Sequence, residues 1–193
     1  GRVVFNCSGD GSYGQGRAHE SMLMAMNWKL PIIYWCENNG MAIHSTAEEM
    51  HPMPDISSLA SGYGMPATIV DGQDVFACAE VAIEVTERAR AGKGPTFVEC
   101  KTMRFREHDI GTPDLSGWEN RTEEEFEEMQ KREPVALATE RVLADGVLSQ
   151  DEIDAFHEDA EQEVAEAEAF AEESPLSDTI ETRESLIAGV FAN

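Results

Sequence analysis

The chain has 193 residues, is 41% hydrophobic and carries a formal net charge of −24, a length that suits one sizeable core with a small helical appendage. The apolar fraction excludes a disordered chain, and no apolar run approaches the roughly 18 residues that a membrane span needs. The acid is unevenly placed: residues 113–193 hold 24 of the 38 Asp and Glu residues, a field that repels nucleic-acid phosphates and excludes that partner class.

The first five residues read as a strand already under way rather than as a signal peptide. No initiator Met precedes them, so the expectation is a piece of a longer chain. Residues 3–7 form a β-rich run that ends at Gly9-Asp10-Gly11. Residues 17–28, rich in Ala and Met, predict a helix, and residues 31–36 a second, fully apolar strand closed by Asn38-Asn39-Gly40. A short helix over 55–61, with Asp55 as its cap, and a short strand over 68–70 follow. Asp74 then caps a helix whose inward face is Cys78, Val81, Val85 and Ala89. Gly92-Lys93-Gly94-Pro95 stops it before a strand over 96–102.

Strands alternating with helices predict an α/β fold, a parallel sheet with helices on both faces, over residues 1–121. Ligands of such sheets sit beyond the carboxyl ends of the strands. Residues 122–193 predict a helical acidic C-terminal tail. Thr122 caps one helix, Pro134 starts another that ends at Asp145-Gly146, and Ser149 with Glu152 has capping-box spacing. The helix after Ser149 is expected to bury Ile153, Phe156, Ala160, Val164 and Ala167 and to close at Ser174-Pro175. Cys7, Cys36, Cys78 and Cys100 lie in apolar runs without a Cys-x-x-Cys pair. They read as small buried hydrophobes in a reducing, cytoplasmic compartment, not as a zinc site.

Two turns carry the chemistry. Ser8-Gly9-Asp10-Gly11-Ser12 follows a strand and precedes a helix, where backbone N–H groups approach an anion. Asp10 repels a bare phosphate, a conflict that a divalent cation between carboxylate and phosphate resolves, and magnesium with its oxygen ligands suits that position. Glu37-Asn38-Asn39-Gly40 again follows a strand, and an Asn amide offers a metal its oxygen and a phosphate its N–H. Each turn alone is an ordinary tight turn. Together they lie at the carboxyl ends of consecutive strands, which are usually neighbours, so Asp10 and Asn39 are expected to face one cation.

Gly-Asp-Gly, 26 residues and Asn-Asn resemble the thiamine diphosphate signature. The chain is similar to the alpha subunits of two-chain pyruvate, branched-chain 2-oxo-acid and acetoin dehydrogenases nearly end to end. The likeness includes Gly14-Gln15-Gly16, Glu20, residues 28–31, residues 60–66, Val70-Asp71-Gly72, residues 92–95 and Lys131-Arg132-Glu133-Pro134. It implies thiamine diphosphate and Mg2+ as cofactors. Asp10, the Asn39 amide oxygen and the Met41 backbone carbonyl are then the metal ligands, although the family usually has Tyr at Met41. Gly9, Asp10, Gly11, Ser12, Asn39, Arg104 and His108 are then the cofactor-binding residues. His108, four residues beyond Arg104, becomes the catalytic residue, contacting phosphate and handling a proton near substrate.

Asp109 stands where family members under phosphorylation control have Ser, so that regulation is not expected. His19, His44, His51 and His157 show no ligand spacing and read as surface or supporting residues. The resemblance further implies a beta subunit in an alpha2-beta2 heterotetramer, which supplies the glutamate that activates the cofactor, and a lipoyl-bearing acyltransferase that takes the acyl or aldehyde unit. Acetoin is slightly preferred as substrate. The alternatives are the cofactor-binding half of a transketolase-like enzyme and a noncatalytic scaffold of the same fold.

Overall fold

The computed structural model describes residues 1–43, 45–106, 108 and 122–174. The chain divides into two compact units, Gly1–Ala144 and Asp145–Asn193. In the first, β1 (Val4–Gly9) leads through a 3-10 segment (Asp10–Gly14) into α1 (Gly16–Trp28) and β2 (Ile32–Asn38). A small hairpin, β3 (Met41–Ala42) with β4 (Ser45–Thr46), precedes α2 (Ala47–Met50) and α3 (Ser58–Ser61). Then come β5 (Ala67–Asp71), α4 (Val75–Arg90), β6 (Thr96–Lys101), α5 (Glu123–Gln130) and α6 (Pro134–Ala144).

The main sheet has the order β1-β2-β6-β5, and each neighbouring pair is parallel. The step from β1 to β2 crosses the sheet in one direction and the step from β5 to β6 in the other. Right-handed crossovers then require α1 and α4 to lie on opposite faces, and they do. On one face Met22 and Ala25 of α1 pack with Tyr34, Cys36, Ile56, Ala60 and Phe97. On the other Val85 of α4 packs with Ile33, Val70, Val98 and Cys100, flanked by Trp35, Cys78 and Val81. The alternation Ile33/Tyr34 and Phe97/Val98 is the period-2 pleat dividing its side chains between two cores. Each fully buried Ile, Phe or Met stabilises by about 1.5–3 kcal/mol relative to exposure. The expected fold class, a parallel sheet with helices on both faces, is what the chain forms.

The details depart from expectation in three places. The short helix expected over 55–61 with Asp55 as its cap is α3, whose N-cap is Ser57 with no side-chain cap bond. The segment around α5 and α6 is tied to the β5–α4 corner. The Arg132 carbonyl accepts from Gln73 Nε2 at 2.7 Å, the Arg132 guanidinium pairs with Asp71, and Arg141 stacks over Phe76 at 4.3 Å. Cys36 and Cys100 are buried as expected, but Cys78 on α4 is half-exposed and Cys7 is exposed, the latter because β1 is an edge strand among the described residues with Val4 and Phe5 also exposed. In the second unit α7 (Gln150–Glu173) starts at the expected Ser149–Glu152 capping box. Of its apolar positions Ile153 is buried, whereas Phe156, Ala160, Val164 and Ala167 are exposed. Helical periodicity marks an apolar stripe but not whether anything covers it. Pro175 lies outside the described residues.

Asp74 caps α4 by accepting from the Phe76 and Ala77 amides at 3.0 and 3.1 Å. Losing such a cap costs about 1 kcal/mol. Asp74→Ala is expected to lower the urea-unfolding free energy by about that amount with an unchanged denaturant slope; an unaltered midpoint would show that the cap contributes nothing.

Candidate functional site

The parallel register brings the ends of β1, β2 and β6 to one edge: Gly9 lies opposite Glu37, and Asn38 opposite Lys101. Beyond β2 the chain runs to α3 on one face of the sheet. Beyond β6 it leads to α6, which packs beside α4 on the other. Chains departing to opposite faces open a crevice between two strands. A cleft of about 680 Å³ lies on the α4 side of these ends, lined by Glu37 and Asn39 from the β2 end, by Thr102, Arg104 and Arg106 after β6 and by Val75 and Cys78 of α4; Asp10 is not among its lining residues.

Asp10 stands just past β1. Its side chain is 1% exposed and its Oδ2 has no hydrogen-bond partner among the described residues. Burial raises its carboxyl above the ordinary range, and this outweighs the backbone amides of Asp10 and Gly11 and the fields of His51 and Arg104, which pull the other way. The backbone around it is tightly held. The His51 ring contacts the Asp10 carbonyl at 3.1 Å, and because a carbonyl only accepts, His51 Nε2 carries the proton. Gly11 is a position for glycine alone, since a Cβ there would meet the Ala42 Cβ at 2.5 Å. That contact seats the β3 strand on the 3-10 segment.

The second turn is built from two successive side-chain-to-backbone bonds. Asn38 Oδ1 accepts from the Gly40 amide at 3.0 Å, and Asn39 Oδ1 accepts from the Met41 amide at 2.9 Å. Gly40 sits at φ +77, a backbone state that glycine adopts without strain. Met41 is buried and Asn39 half-buried. Arg104 reaches the same hairpin, its Nη1 donating to the Ile43 carbonyl at 3.0 Å. Asp10, Gly11, Asn39, Met41 and Arg104 are thus gathered around one hairpin. Gly9 closes β1, and Ser12 is exposed in the 3-10 segment. His108 is exposed and has no hydrogen bond or ion pair to the cluster among the described residues.

Two contributors escaped sequence reasoning. His51, expected as a surface or supporting residue, is 6% exposed and props the Asp10 backbone. Its only sequence mark is the preceding capping box of Thr46 and Glu49, which fixes where α2 begins. Glu99 is 0% exposed inside β6. It accepts from Asn38 Nδ2 and the Ser57 amide, each at 2.7 Å, and pairs with Lys101 at 2.8 Å. Burial alone would raise its carboxyl, but those bonds outweigh it and hold Glu99 below the ordinary carboxylate value. Elsewhere, His19 bonds the Tyr63 hydroxyl at 2.7 Å and His157 is exposed. His44 and Asp109 lie outside the described residues.

A family model described as dehydrogenase E1 component matches residues 1–180. The chain belongs to the dehydrogenase E1 component family. Among its relatives is the chloroplastic pyruvate dehydrogenase E1 component subunit alpha-3 of Oryza sativa subsp. japonica, 36% identical over 96% of this chain and 42% of that one. The pyruvate dehydrogenase E1 alpha subunit of Porphyra purpurea is 36% identical over 97% of this chain and 53% of its own. That of Zymomonas mobilis is 35% identical over 95% and 51%. The chain spans about half the length of these curated relatives. The resemblance to a thiamine-diphosphate-dependent 2-oxo-acid dehydrogenase alpha subunit is borne out.

The E1 dehydrogenase family uses thiamine diphosphate. The residues present suit a cation-bridged diphosphate. A buried carboxylate oxygen lacks a partner, an amide oxygen uses one of its two lone pairs on Met41, and all the candidate donors are oxygens. Among the described residues no group of three His, Cys, Asp or Glu forms a metal cluster. A site here would therefore rest on one carboxylate, one amide and one backbone carbonyl.

Burial sets the Asp10 carboxyl against its own ionisation. Its ionised form is penalised in the fold, and that penalty is fully present above the folded value and vanishes as the pH falls below the ordinary 3.8. Asp10→Asn is therefore expected to raise the thermal midpoint in metal-free buffer at pH 7, with a gap to wild type that narrows toward pH 4. Equal midpoints at pH 7 would show that the buried carboxylate carries no penalty.

Proposed function

We propose that this chain is the diphosphate-holding portion of the alpha subunit of a thiamine-diphosphate-dependent 2-oxo-acid dehydrogenase, with Mg2+ as the bridging ion. The observation that carries the reading is the buried, partnerless carboxylate oxygen of Asp10 at the carboxyl edge of a parallel sheet, in a family that uses thiamine diphosphate. In the proposal the Asp10 carboxylate, the Asn39 amide oxygen and the Met41 carbonyl would hold the metal. Gly9, Gly11 and Ser12 offer backbone amides to the diphosphate, and Arg104 adds positive charge beside it. Thiamine diphosphate, when bound, supplies a nucleophilic thiazolium carbon and an electron sink for decarboxylation.

His108 is proposed to contact phosphate and to hold or release a proton at the substrate oxygen, its exposure on the loop after β6 leaving it able to reach a bound ligand. Pyruvate is the substrate favoured here, because the three relatives are named as pyruvate dehydrogenases. Acetoin and branched-chain oxo acids draw no support from those names. A beta subunit in an alpha2-beta2 assembly, a lipoyl-bearing acyltransferase as acceptor and a cytoplasmic setting complete the proposal.

In the assembled protein Asp10→Ala is expected to abolish magnesium-dependent thiamine diphosphate binding, because no charge then bridges to the diphosphate. Unchanged affinity by titration calorimetry would sink the metal assignment. His108→Ala should leave the fold and the Mg2+ site intact and lower kcat by about 100-fold or more if the imidazole acts as a general acid–base group. Near-normal turnover alongside the beta subunit would reduce His108 to a loop residue.

A further inference from the structure

The metal-facing turn rests on a buried charge that contacts neither metal nor cofactor in the reading above. Glu99 lies fully buried on the face of β6 that looks toward α3. Its two oxygens are shared out: Oε1 takes the Asn38 amide at 2.7 Å and the Lys101 ammonium at 2.8 Å, and Oε2 takes the Ser57 backbone amide at 2.7 Å. A carboxylate only accepts, so the Asn38 side chain must turn its NH2 toward Glu99. Its oxygen is thereby directed to the Gly40 amide, where it is found at 3.0 Å. The Asn38 carbonyl is held as well, accepting from the Thr102 amide at 2.9 Å. With Asn38 fixed at both ends, the chain has to leave β2 through Gly40 at φ +77, and this places Asn39 Oδ1 over the Met41 amide.

We infer that Glu99 is a positioning residue for the cofactor site. By fixing the flip of the Asn38 amide it sets the turn that presents Asn39 and the Met41 carbonyl. The inference rests on the proposed metal-binding role of Asn39 and adds to it a remote anchor in the next strand. Placing a buried charge there has a structural cost, offset by Lys101 and by the two amide bonds. Lys101 is itself held by Asp55 at 3.0 Å and by the Pro54 carbonyl at 3.1 Å, so the anchor reaches to the segment before α3. An apolar residue would pack a strand interior without that cost, but only an acceptor draws the Asn38 NH2 inward and leaves its oxygen for the Gly40 amide.

The test uses the assembled holoenzyme and reads the Mg2+ concentration that half-saturates thiamine diphosphate binding, separately from the thermal midpoint without ligands. Glu99→Gln leaves one acceptor oxygen for the Asn38, Ser57 and Lys101 donors and sets an NH2 among them, so the Asn38 flip is no longer held. The half-saturating Mg2+ concentration is expected to rise tenfold or more. Asp55→Asn, which weakens the Lys101 contact and leaves Asn38 untouched, is expected to change it less than twofold. Asn38→Asp combined with Glu99→Gln reverses donor and acceptor across the pair, and should recover most of the loss seen in Glu99→Gln. Should Glu99→Gln fail to fold, Asn38→Ser breaks the same link from the other side with Glu99 still bound to Ser57 and Lys101, and the same tenfold rise is expected. A lower thermal midpoint with an unchanged Mg2+ requirement, in whichever of the two variants folds, would overturn the positioning role and leave the functional reading standing. Wild-type protein that binds thiamine diphosphate without regard to Mg2+ would overturn both.

Discussion

A carboxylate placed at 1% exposure, with one oxygen unpartnered among the described residues, is the constraint around which the edge of this sheet is arranged. Burying such a group without a partner is unfavourable, and the native fold retains it only because the surrounding structure holds it there. The 3-10 segment that carries Asp10 is clamped from three sides. β1 precedes it, the Ala42 side chain closes on Gly11, and His51 reaches its carbonyl. None of these contacts satisfies Oδ2. The contacts hold the main chain, and the side chain is left raised in pKa, its Oδ2 without a partner among the described residues.

The rest of the sheet makes that arrangement possible. β1 to β2 and β5 to β6 step in opposite directions, so helices cover both faces of the central strands β2 and β6 and the crevice opens where their exits diverge. The side chains alternating along β6 serve both cores and, at Glu99, a polar node as well. That node spans β2, β6 and the start of α3 through Asn38, Lys101 and Ser57. Its cohesion depends on ionisation. The Glu99 carboxyl is held below its ordinary value, so the stability it contributes is present above that value and is lost as the pH falls through the folded one. Asp10 behaves oppositely, and the two carboxylates separate a structural charge from one suited to a ligand.

Much of this was legible in the residues. The runs around Phe5, Ile33, Ile69 and Phe97 became the four parallel strands, and Asp74, Thr122 and Ser149 cap the helices they were expected to cap. Local chemistry suffices there, because a cap or an apolar run acts on its own neighbours. The hairpin of Met41–Ala42 with Ser45–Thr46 was missed because two-residue strands leave no periodicity to read. Glu99 was missed, and His51 left between a surface and a supporting place, because the partners of Glu99 lie 61 and 42 residues away and that of His51 lies 41 residues away, and a Glu within a strand reads as an outward residue until its neighbours are known. Cys7, Phe156 and Val164 show the converse: apolar patterning finds a face but not its cover.

The central claim is that Asp10 is completed by a divalent cation it shares with Asn39 and Met41. The most direct measurement is the anomalous diffraction of Mn2+ in crystals of the assembled protein grown with thiamine diphosphate. The account predicts one manganese peak in coordinating contact with Asp10 Oδ2, Asn39 Oδ1 and the Met41 carbonyl, bridging to the diphosphate. A bound diphosphate with no metal at Asp10, or a metal held by other residues, would contradict it.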